Sequence, residues 1–440
     1  MGDAPAQKPP HDAELKRTLG VFDAVVVGLG AMVGAGIFAA LAPAARAAGP
    51  AGGALLTALG LAGIVAYCNA RSSARLAARY PSSGGTYVYG RERLGPFWGY
   101  LAGWGFVVGK TASCAAMALT VGAYLWPGQR HVVAVAAVVA LTAASYGGVR
   151  KSAGIARVIV ATVLVVLAGV VAVCLASGAA DPARLGAGPA ADGPWGGGQW
   201  GGGQWGGVAG LLQGAGLLFF AFAGYARIAT LGEEVRDPER TIPRAVPIAL
   251  GIALLVYAAV AVAVLSVLGG AALARSTAPL VDAVRAAGWS GLAPVVRVGA
   301  ALAALGSLLA LVLGVSRTSL AMARDGHLPR VLAAVHPRRR VPHHAELAVG
   351  TVVAVLAATT DLRGAIGFSS FGVLVYYAIA NASAWTLDSG VKDRAGAAVG
   401  LAGCVLLACA LPVASAVAGA AVLGAGAVGY AARRRRRHGI

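Results

Sequence analysis

The sequence predicts an all-α polytopic membrane protein with about 12 transmembrane helices, and two observations support this fold class. Of the 440 residues, 58% are hydrophobic and only 12% are charged, which leaves more apolar surface than a soluble protein of this length can bury. The apolar residues also occur in long runs, and about 20 of them in a row are enough for a helix to cross a bilayer. The lipid bilayer is therefore the predicted environment.

Twelve apolar runs are predicted to cross the membrane, and we number them as spans 1 to 12. The fourth, ninth and eleventh runs are short for a span, and little more than Pro412 separates the last two. The predicted extents are 22–45, 52–70, 97–125, 131–147, 153–176, 208–231, 245–269, 292–322, 345–360, 364–387, 396–411 and 413–430.

The net charge of +19 is explained by membrane topology rather than by nucleic-acid binding. Nearly all basic residues lie in short connections between the apolar runs; Arg71, Arg75 and Arg79, for example, follow span 2. Because connections rich in arginine and lysine stay in the cytoplasm, an even number of spans places both termini there. We expect a multi-pass protein of the cell (plasma) membrane with no nucleic-acid partner.

Glycines interrupt span 1 at its centre. Gly28, Gly30, Gly34 and Gly36 lie within nine residues, and each glycine inside a helix costs about 1 kcal/mol relative to alanine. A broken helix is tolerated in a membrane only where it lines a cavity or is buried in protein. Close packing of two helices is the alternative explanation. A second interrupted segment, 214–230 in span 6, favours the broken-helix interpretation.

Spans 1 and 6 lie five spans apart and therefore cross the membrane in opposite directions. Two inverted repeats of five helices have this arrangement, and their discontinuous first members meet near the bilayer midplane. The predicted organisation is a cytoplasmic N-terminal tail (1–20), a first inverted repeat (21–177), an extracellular loop rich in Gly and Trp (178–207), a second inverted repeat (208–387), spans 11 and 12 (388–430) and a basic cytoplasmic tail (431–440).

The extracellular loop contains a repeated five-residue unit between Pro194 and Gly207. Its glycines predict flexibility, and Trp195, Trp200 and Trp205 suit a membrane interface. We interpret the loop as a linker with interfacial anchors, and a lid over a ligand is the alternative.

Broken membrane helices expose main-chain groups that can bind a ligand. The N-terminus of a half-helix presents N–H groups and a positive dipole end to an anion, and the carbonyls at a C-terminal end accept hydrogen bonds from an ammonium group. A ligand that carries both groups is an α-amino acid.

Four motifs resemble those of amino-acid permeases of the amino acid–polyamine–organocation (APC) superfamily, in the branch similar to cationic amino-acid transporters. They are Gly34-Ala-Gly-Ile-Phe38 in span 1, Phe219-Phe-Ala-Phe-Ala-Gly-Tyr225 with the following 232–244, Ser316–Pro329 after span 8, and Pro81–Tyr87 after span 2. The resemblance covers roughly residues 15 to 430. It implies a LeuT-like inverted-repeat core and a secondary transporter that moves amino acids by alternating access.

The resemblance also implies a substrate site built mostly from the main chain. Amides matching Ala35 and Gly36 would hold the substrate carboxylate. The aromatic matching Tyr225 would be a gate against the substrate, and a packed aromatic is the other interpretation. The carbonyls implied for the substrate amine are those of Met32, Phe220, Ala221 and Ala223.

Two cations lie within the spans, where a charge costs about 2.5–3.5 kcal/mol on insertion scales and marks a functional hypothesis. Several proton-dependent relatives carry a lysine in span 5, but span 5 has none here, and Arg157 lies near its cytoplasmic end. Lys110, midway along span 3, is therefore the predicted proton-exchanging group. Arg227 in span 6 stays charged and suits a gate or a substrate contact. Because no carboxylate lies in the middle of a span, neutral or acidic amino acids are the predicted substrates.

Residues of opposite charge also lie at the predicted cytoplasmic ends of spans 6 and 8. Glu233 and Glu234 follow span 6, while Arg317 and Arg324 end span 8. An inner gate of ion pairs and ordinary solvated loop charges are both compatible with this pattern.

Other function classes have weaker support. An enzyme would need a nucleophile with its base or a metal cluster. Four histidines belong to one predicted cytoplasmic loop, 327–344, but their spacing is irregular. Zinc binding in this loop is a minor alternative. The five cysteines follow no disulfide or metal spacing. We predict no enzyme activity, cofactor or metal. The alternatives to a proton-coupled permease are an amino-acid exchanger, a polyamine or amine permease, and a non-transporting amino-acid sensor.

Overall fold

The computed structural model describes residues 19–81, 84–147, 153–186, 207–230, 234–339, 341–387 and 390–438. Within these ranges the secondary structure is helical, apart from an isolated parallel bridge between Leu19 and Val235. Eleven of the described helices are long and apolar enough to cross a membrane. The predicted all-α polytopic fold is therefore confirmed.

We number the α-helices along the chain. Their bounds are α1 Val21–Met32, α2 Ala35–Ala39, α3 Leu41–Ala48, α4 Gly52–Arg79, α5 Thr86–Leu94, α6 Pro96–Leu125, α7 Arg130–Tyr146, α8 Ala153–Ala176, α9 Val208–Phe222, α10 Ala226–Ala229, α11 Pro238–Arg275, α12 Pro279–Ala286, α13 Ala293–Arg324, α14 His343–Thr359, α15 Leu362–Trp385, α16 Val391–Ala410 and α17 Val413–His438.

The short predicted spans differ in length in the structure. Spans 4 and 11 correspond to the helical stretches Pro127–Tyr146 and Val391–Ala410, each 20 residues long and apolar enough to cross. Span 9 is the shorter apolar helix α14. Two helices that the apolar pattern did not reveal, α5 and α12, lie in connections.

Both predicted discontinuities are present, but they differ in geometry. Span 1 is interrupted after Met32, where Gly34 has φ −88° and ψ −133°, outside the helical region. Span 6 is tightened rather than unwound, because α9 passes through a 3₁₀ turn at Ala223–Tyr225 before α10 begins.

The two discontinuities pack directly against each other. A Cβ placed on Gly36 would lie 2.6 Å from Ala221 Cα, and one on Gly224 would lie 2.4 Å from the carbonyl of Ala31. Because these contacts involve backbone atoms, larger residues fit only if the helices move apart. The glycines at the helix breaks are therefore also the residues that let the two helices pack closely, so both explanations for them apply.

We call the end of the bundle that carries Arg71, Arg75 and Arg79 the arginine-rich face, and the other end the opposite face. At the arginine-rich face, the main chain of Leu19 donates to Glu234 O (3.1 Å) and accepts from Arg236 N (2.9 Å). Arg157 forms an ion pair with Asp23 in the first turn of α1. These contacts hold the start of span 1 against span 5 and the connection after span 6.

The repeat and tail boundaries predicted from sequence stay predictions. The Gly/Trp unit between Pro194 and Gly206 lies outside the described residues, as does the tail before Leu19.

Gly224→Ala tests the contact between the discontinuities. The added Cβ would press on the main chain of Ala31, and overpacking of this kind costs about 1–3 kcal/mol. We expect a melting temperature several degrees below that of the wild type in detergent. The matched control is Gly251→Ala in α11, which has open space around its Cβ position and is expected to keep or raise the melting temperature. Equal melting temperatures for Gly224→Ala and the wild type would show that the two breaks do not pack as described.

Candidate functional site

The N-terminus of α2 presents main-chain donors inside the protein. The first N–H groups of a helix have no partner within it, and Ala35 and Gly36 occupy the first two positions of α2. Ala35 is fully buried. After Ala40 the chain continues directly into α3. The structure thus places the two predicted carboxylate-binding amides together at a buried helix start.

Main-chain carbonyls from both discontinuities lie beside these donors. The Tyr257 hydroxyl in α11 lies 2.5 Å from Met32 O and 3.0 Å from Ala221 O. Tyr257 is completely buried and has one hydroxyl proton to share between the two carbonyls. Two of the predicted amine acceptors therefore converge on one point, and Phe220 precedes Ala221 in α9.

A third predicted acceptor, Ala223 O, receives two donors. Lys110 Nζ lies 3.1 Å from it, and the Tyr377 hydroxyl in α15 lies 3.3 Å from it. Lys110 is buried in α6, and no carboxylate among the described residues lies within ion-pair distance of it. The structure therefore brings Lys110 to the discontinuity of span 6.

Tyr225 is enclosed by the same helices. Its ring stacks on Tyr377 with 5.0 Å between the centroids, and none of its surface is exposed. The position fits a packed aromatic, and its role as a gate stays a prediction.

Arg227 does not join Lys110 at the site. Its Nη1 lies 3.5 Å from Thr230 Oγ1, and it interacts electrostatically with Glu234 and Arg317. Arg227 thus belongs to the arginine-rich half of span 6. Only Lys110 among the two intramembrane cations lies at the predicted site.

Among the described residues of the predicted inner gate, no ion pair is present. Glu233 lies outside the described residues. Arg317 and Arg324 are exposed on α13, and in the described part of the chain neither forms an ion pair with Glu234. The gate therefore stays a prediction for another conformation.

A different polar cluster connects α5 to the end of α13. Tyr87 donates to Asp325 and lies 3.0 Å from His327 Nδ1, while Arg91 pairs with Asp325 at 3.7 Å. Burial, together with the hydrogen bond to the Asp325 carboxylate, raises the pKa of the Tyr87 hydroxyl above its ordinary value. Tyr87 therefore stays a neutral donor to Asp325.

Sequence reasoning missed Tyr257, Tyr377 and Ser307, whose Oγ donates to Gly30 O at 3.2 Å. Each is a hydroxyl residue within an apolar run. That pattern could have found them, because a break in a membrane helix requires donors from neighbouring helices.

Sequence reasoning also passed over Glu346, at the start of α14. Its side chain is fully buried, and neither carboxylate oxygen has a hydrogen-bond partner among the described residues. Helices α7 and α14 run antiparallel, since His131 contacts Ala357 and Tyr146 contacts His343. Glu346 therefore faces the end of α7. In the part of the chain that the structure describes, no group of three or more His, Cys, Asp or Glu residues could hold a metal ion.

Comparison with known proteins identifies the family of this site. The amino acid permease family model matches residues 23–390, which include both discontinuities, Lys110, Tyr257 and Tyr377. The chain belongs to the amino acid permease family. The predicted resemblance is confirmed, and the protein is a multi-pass membrane transporter of this family.

Relatives of this permease include proteins with named substrates. A Mycobacterium tuberculosis (strain H37Rv) protein, named only as a transporter, is 69% identical over 423 residues, which are 96% of this chain and 92% of that one. Cationic amino acid transporter 7 of Arabidopsis thaliana is 28% identical over 84% of this chain and 65% of its own length. The branched-chain amino acid permease of Bacillus subtilis is 24% identical over 82% of this chain and 79% of its own.

Tyr257→Phe tests the link between the two discontinuities of this permease. Removing the hydroxyl leaves the carbonyls of Met32 and Ala221 without this donor, and an unsatisfied buried polar group costs about 1–3 kcal/mol. We expect a lower melting temperature for the substrate-free protein. The control is Tyr67→Phe, which removes an exposed hydroxyl in α4 (Tyr67 is 49% exposed) and is expected to change little. If both variants have the melting temperature of the wild type, the Tyr257 hydroxyl does not hold the breaks together.

Proposed function

We propose that the protein is a secondary active permease that moves neutral or acidic amino acids across the cell membrane by alternating access, coupled to protons. The observation that carries this proposal is the contact between two helix discontinuities, which offer buried N–H groups and buried carbonyls within one site. The proposed orientation follows the arginine-rich face, which is cytoplasmic together with both termini.

The two polarities of the site suit the two charged groups of an amino acid. The substrate carboxylate binds the amides of Ala35 and Gly36 at the positive end of α2. The substrate ammonium binds the carbonyls of Met32, Phe220, Ala221 and Ala223. Tyr257 donates to the carbonyls of Met32 and Ala221, and Lys110 donates to that of Ala223, so substrate binding exchanges one donor for another.

Lys110 supplies the proposed coupling to protons. Its ammonium group and the substrate ammonium compete for Ala223 O, and two like charges at about 4 Å repel by about 4 kcal/mol at an effective dielectric constant of 20. Occupancy of the site by an ammonium group therefore lowers the proton affinity of Lys110. By the same amount of free energy, protonation of Lys110 lowers the affinity for substrate.

The charge of Lys110 also favours neutral or acidic substrates. A cationic side chain would need negative charge at the site, and the described residues place no carboxylate beside Lys110. The name of the Bacillus subtilis relative agrees with a neutral substrate, whereas the name of the Arabidopsis thaliana relative points to a cationic one. A polyamine permease is disfavoured by the same charge. An exchanger or a non-transporting sensor would share this site, and uptake measurements distinguish them.

Competition for uptake tests the substrate class. Purified protein in liposomes with an imposed pH gradient should accumulate labelled alanine, and unlabelled serine, leucine or glutamate should compete more strongly than arginine or lysine. Uptake without accumulation would favour an exchanger, and binding without uptake would favour a sensor. Stronger competition by arginine or lysine would refute the charge argument.

Lys110→Met tests the coupling. The variant should lose accumulation driven by the pH gradient, while substrate binding or exchange persists, because the carbonyls of the site remain. Lys392→Met, which removes an exposed lysine in α16, is the matched control and should behave as the wild type. Normal accumulation by Lys110→Met would make Lys110 a structural residue.

A further inference from the structure

A cavity lies at the opposite face, next to the predicted substrate site. Its volume is about 260 Å³, and its inner wall includes Phe38 and Ala39 of α2. Phe38 is two residues from Gly36, and its main-chain carbonyl accepts a hydrogen bond from Tyr124 of α6 at 3.0 Å. The cavity is therefore separated from the amides of Ala35 and Gly36 by a single turn of helix.

The lining of this cavity is strongly basic. Three guanidinium groups, those of Arg46, Arg130 and Arg363, line it together with one carboxylate, that of Asp361. Three positive charges less one negative charge leave a net charge of two positive. The Asp361 carboxylate is partly engaged, because its Oδ1 accepts a hydrogen bond from Gly364 N (3.1 Å) at the start of α15. The cavity thus favours an anionic group.

Arg363 lines this cavity. Its Nη2 donates to Gln213 Oε1 at 3.1 Å, but its buried Nε has no hydrogen-bond partner among the described residues. Arg46, by contrast, directs Nε and Nη2 at Ala274 O, at 3.1 and 2.9 Å. The guanidinium group of Arg363 therefore has bonding capacity that the described residues do not use, and a guanidinium fork fits the two oxygens of a carboxylate.

We propose that this cavity is an entry site, which binds the carboxylate of an incoming amino acid through Arg363 and Arg130 before α2 moves and the substrate reaches Ala35 and Gly36. The inference rests on the proposed permease function. Thr277, at the edge of the cavity, offers a hydroxyl to the rest of the substrate, whereas the neighbouring Ser276 hydroxyl already donates to Asp282. A small inorganic anion such as chloride shares the charge of a carboxylate, and the experiment distinguishes the two.

Uptake kinetics in intact cells, with labelled alanine or glutamate added outside, test the entry site. Arg363→Gln should raise the half-saturating concentration of glutamate about tenfold and leave the maximal rate nearly unchanged. Arg363→Lys, which keeps the charge, should restore part of the affinity. Asp361→Asn should act in the opposite sense and lower the half-saturating concentration, and its amide oxygen can still cap α15. Arg285→Gln, which removes an exposed arginine of α12 at the same face but outside the cavity, is the control and should match the wild type.

A purely structural role for Arg363 gives a different pattern. The maximal rate and the melting temperature would fall together, the half-saturating concentration would not change, and the proposal would be overturned. Equal effects of Arg285→Gln and Arg363→Gln would also overturn it, because general surface charge would then explain the kinetics.

Thermal stabilisation of the purified protein separates this proposal from the permease function. Sodium glutamate should raise the melting temperature of the wild type more than sodium chloride at equal ionic strength. Arg363→Gln should reduce this difference to the part that glutamate bound at Ala35 and Gly36 supplies. If the wild type takes up no amino acid, the proposed function is wrong, and the entry site is then judged by this reduction alone. Equal stabilisation by chloride and glutamate would make the cavity an inorganic-anion site and overturn the proposal.

Discussion

The hydrogen-bonding requirement of a broken helix inside a membrane governs this structure. Hydrocarbon offers no water to the freed main-chain groups, so each break survives only with donors and acceptors from neighbouring helices. Tyr257 supplies them to both breaks, Ser307 to span 1, and Lys110 with Tyr377 to span 6. These four side chains of the core therefore lie where the main chain leaves the helix.

This requirement also explains how a site of small residues can be specific. Ala35, Gly36, Ala221 and Ala223 contribute main-chain atoms, and their small side chains permit the close contact between Gly36 and Ala221. In the proposed site, a substrate ammonium would replace hydrogen bonds that Tyr257 and Lys110 already make, so the net gain on binding would be the difference between two sets of bonds.

The parts that sequence predicts well are those governed by composition and chain-local chemistry. Apolar runs and arginine-rich connections located the spans, and the glycines of span 1 located its break. The hydroxyl of Tyr257 in an apolar run shows only that a donor is present. Its role depends on which carbonyls α11 approaches in three dimensions, and the sequence does not contain that information. The inner gate of Glu234 with Arg317 stays a prediction, because side-chain pairing between connections is set by tertiary geometry that spacing does not contain.

The distribution of charge connects the entry cavity to the central site. Arg363 and Arg130 line the cavity at the opposite face, and Lys110 lies deeper in the protein, at Ala223 O of span 6. Positive charge therefore occurs both in the cavity and at the central site. A zwitterion that enters carboxylate first meets favourable charge in the cavity and then the positive helix end at Ala35. Its ammonium group has only neutral carbonyls to bind, and Lys110 opposes it. In the proposed function, this balance ties substrate binding to the charge of Lys110, and a change in that charge couples transport to protons.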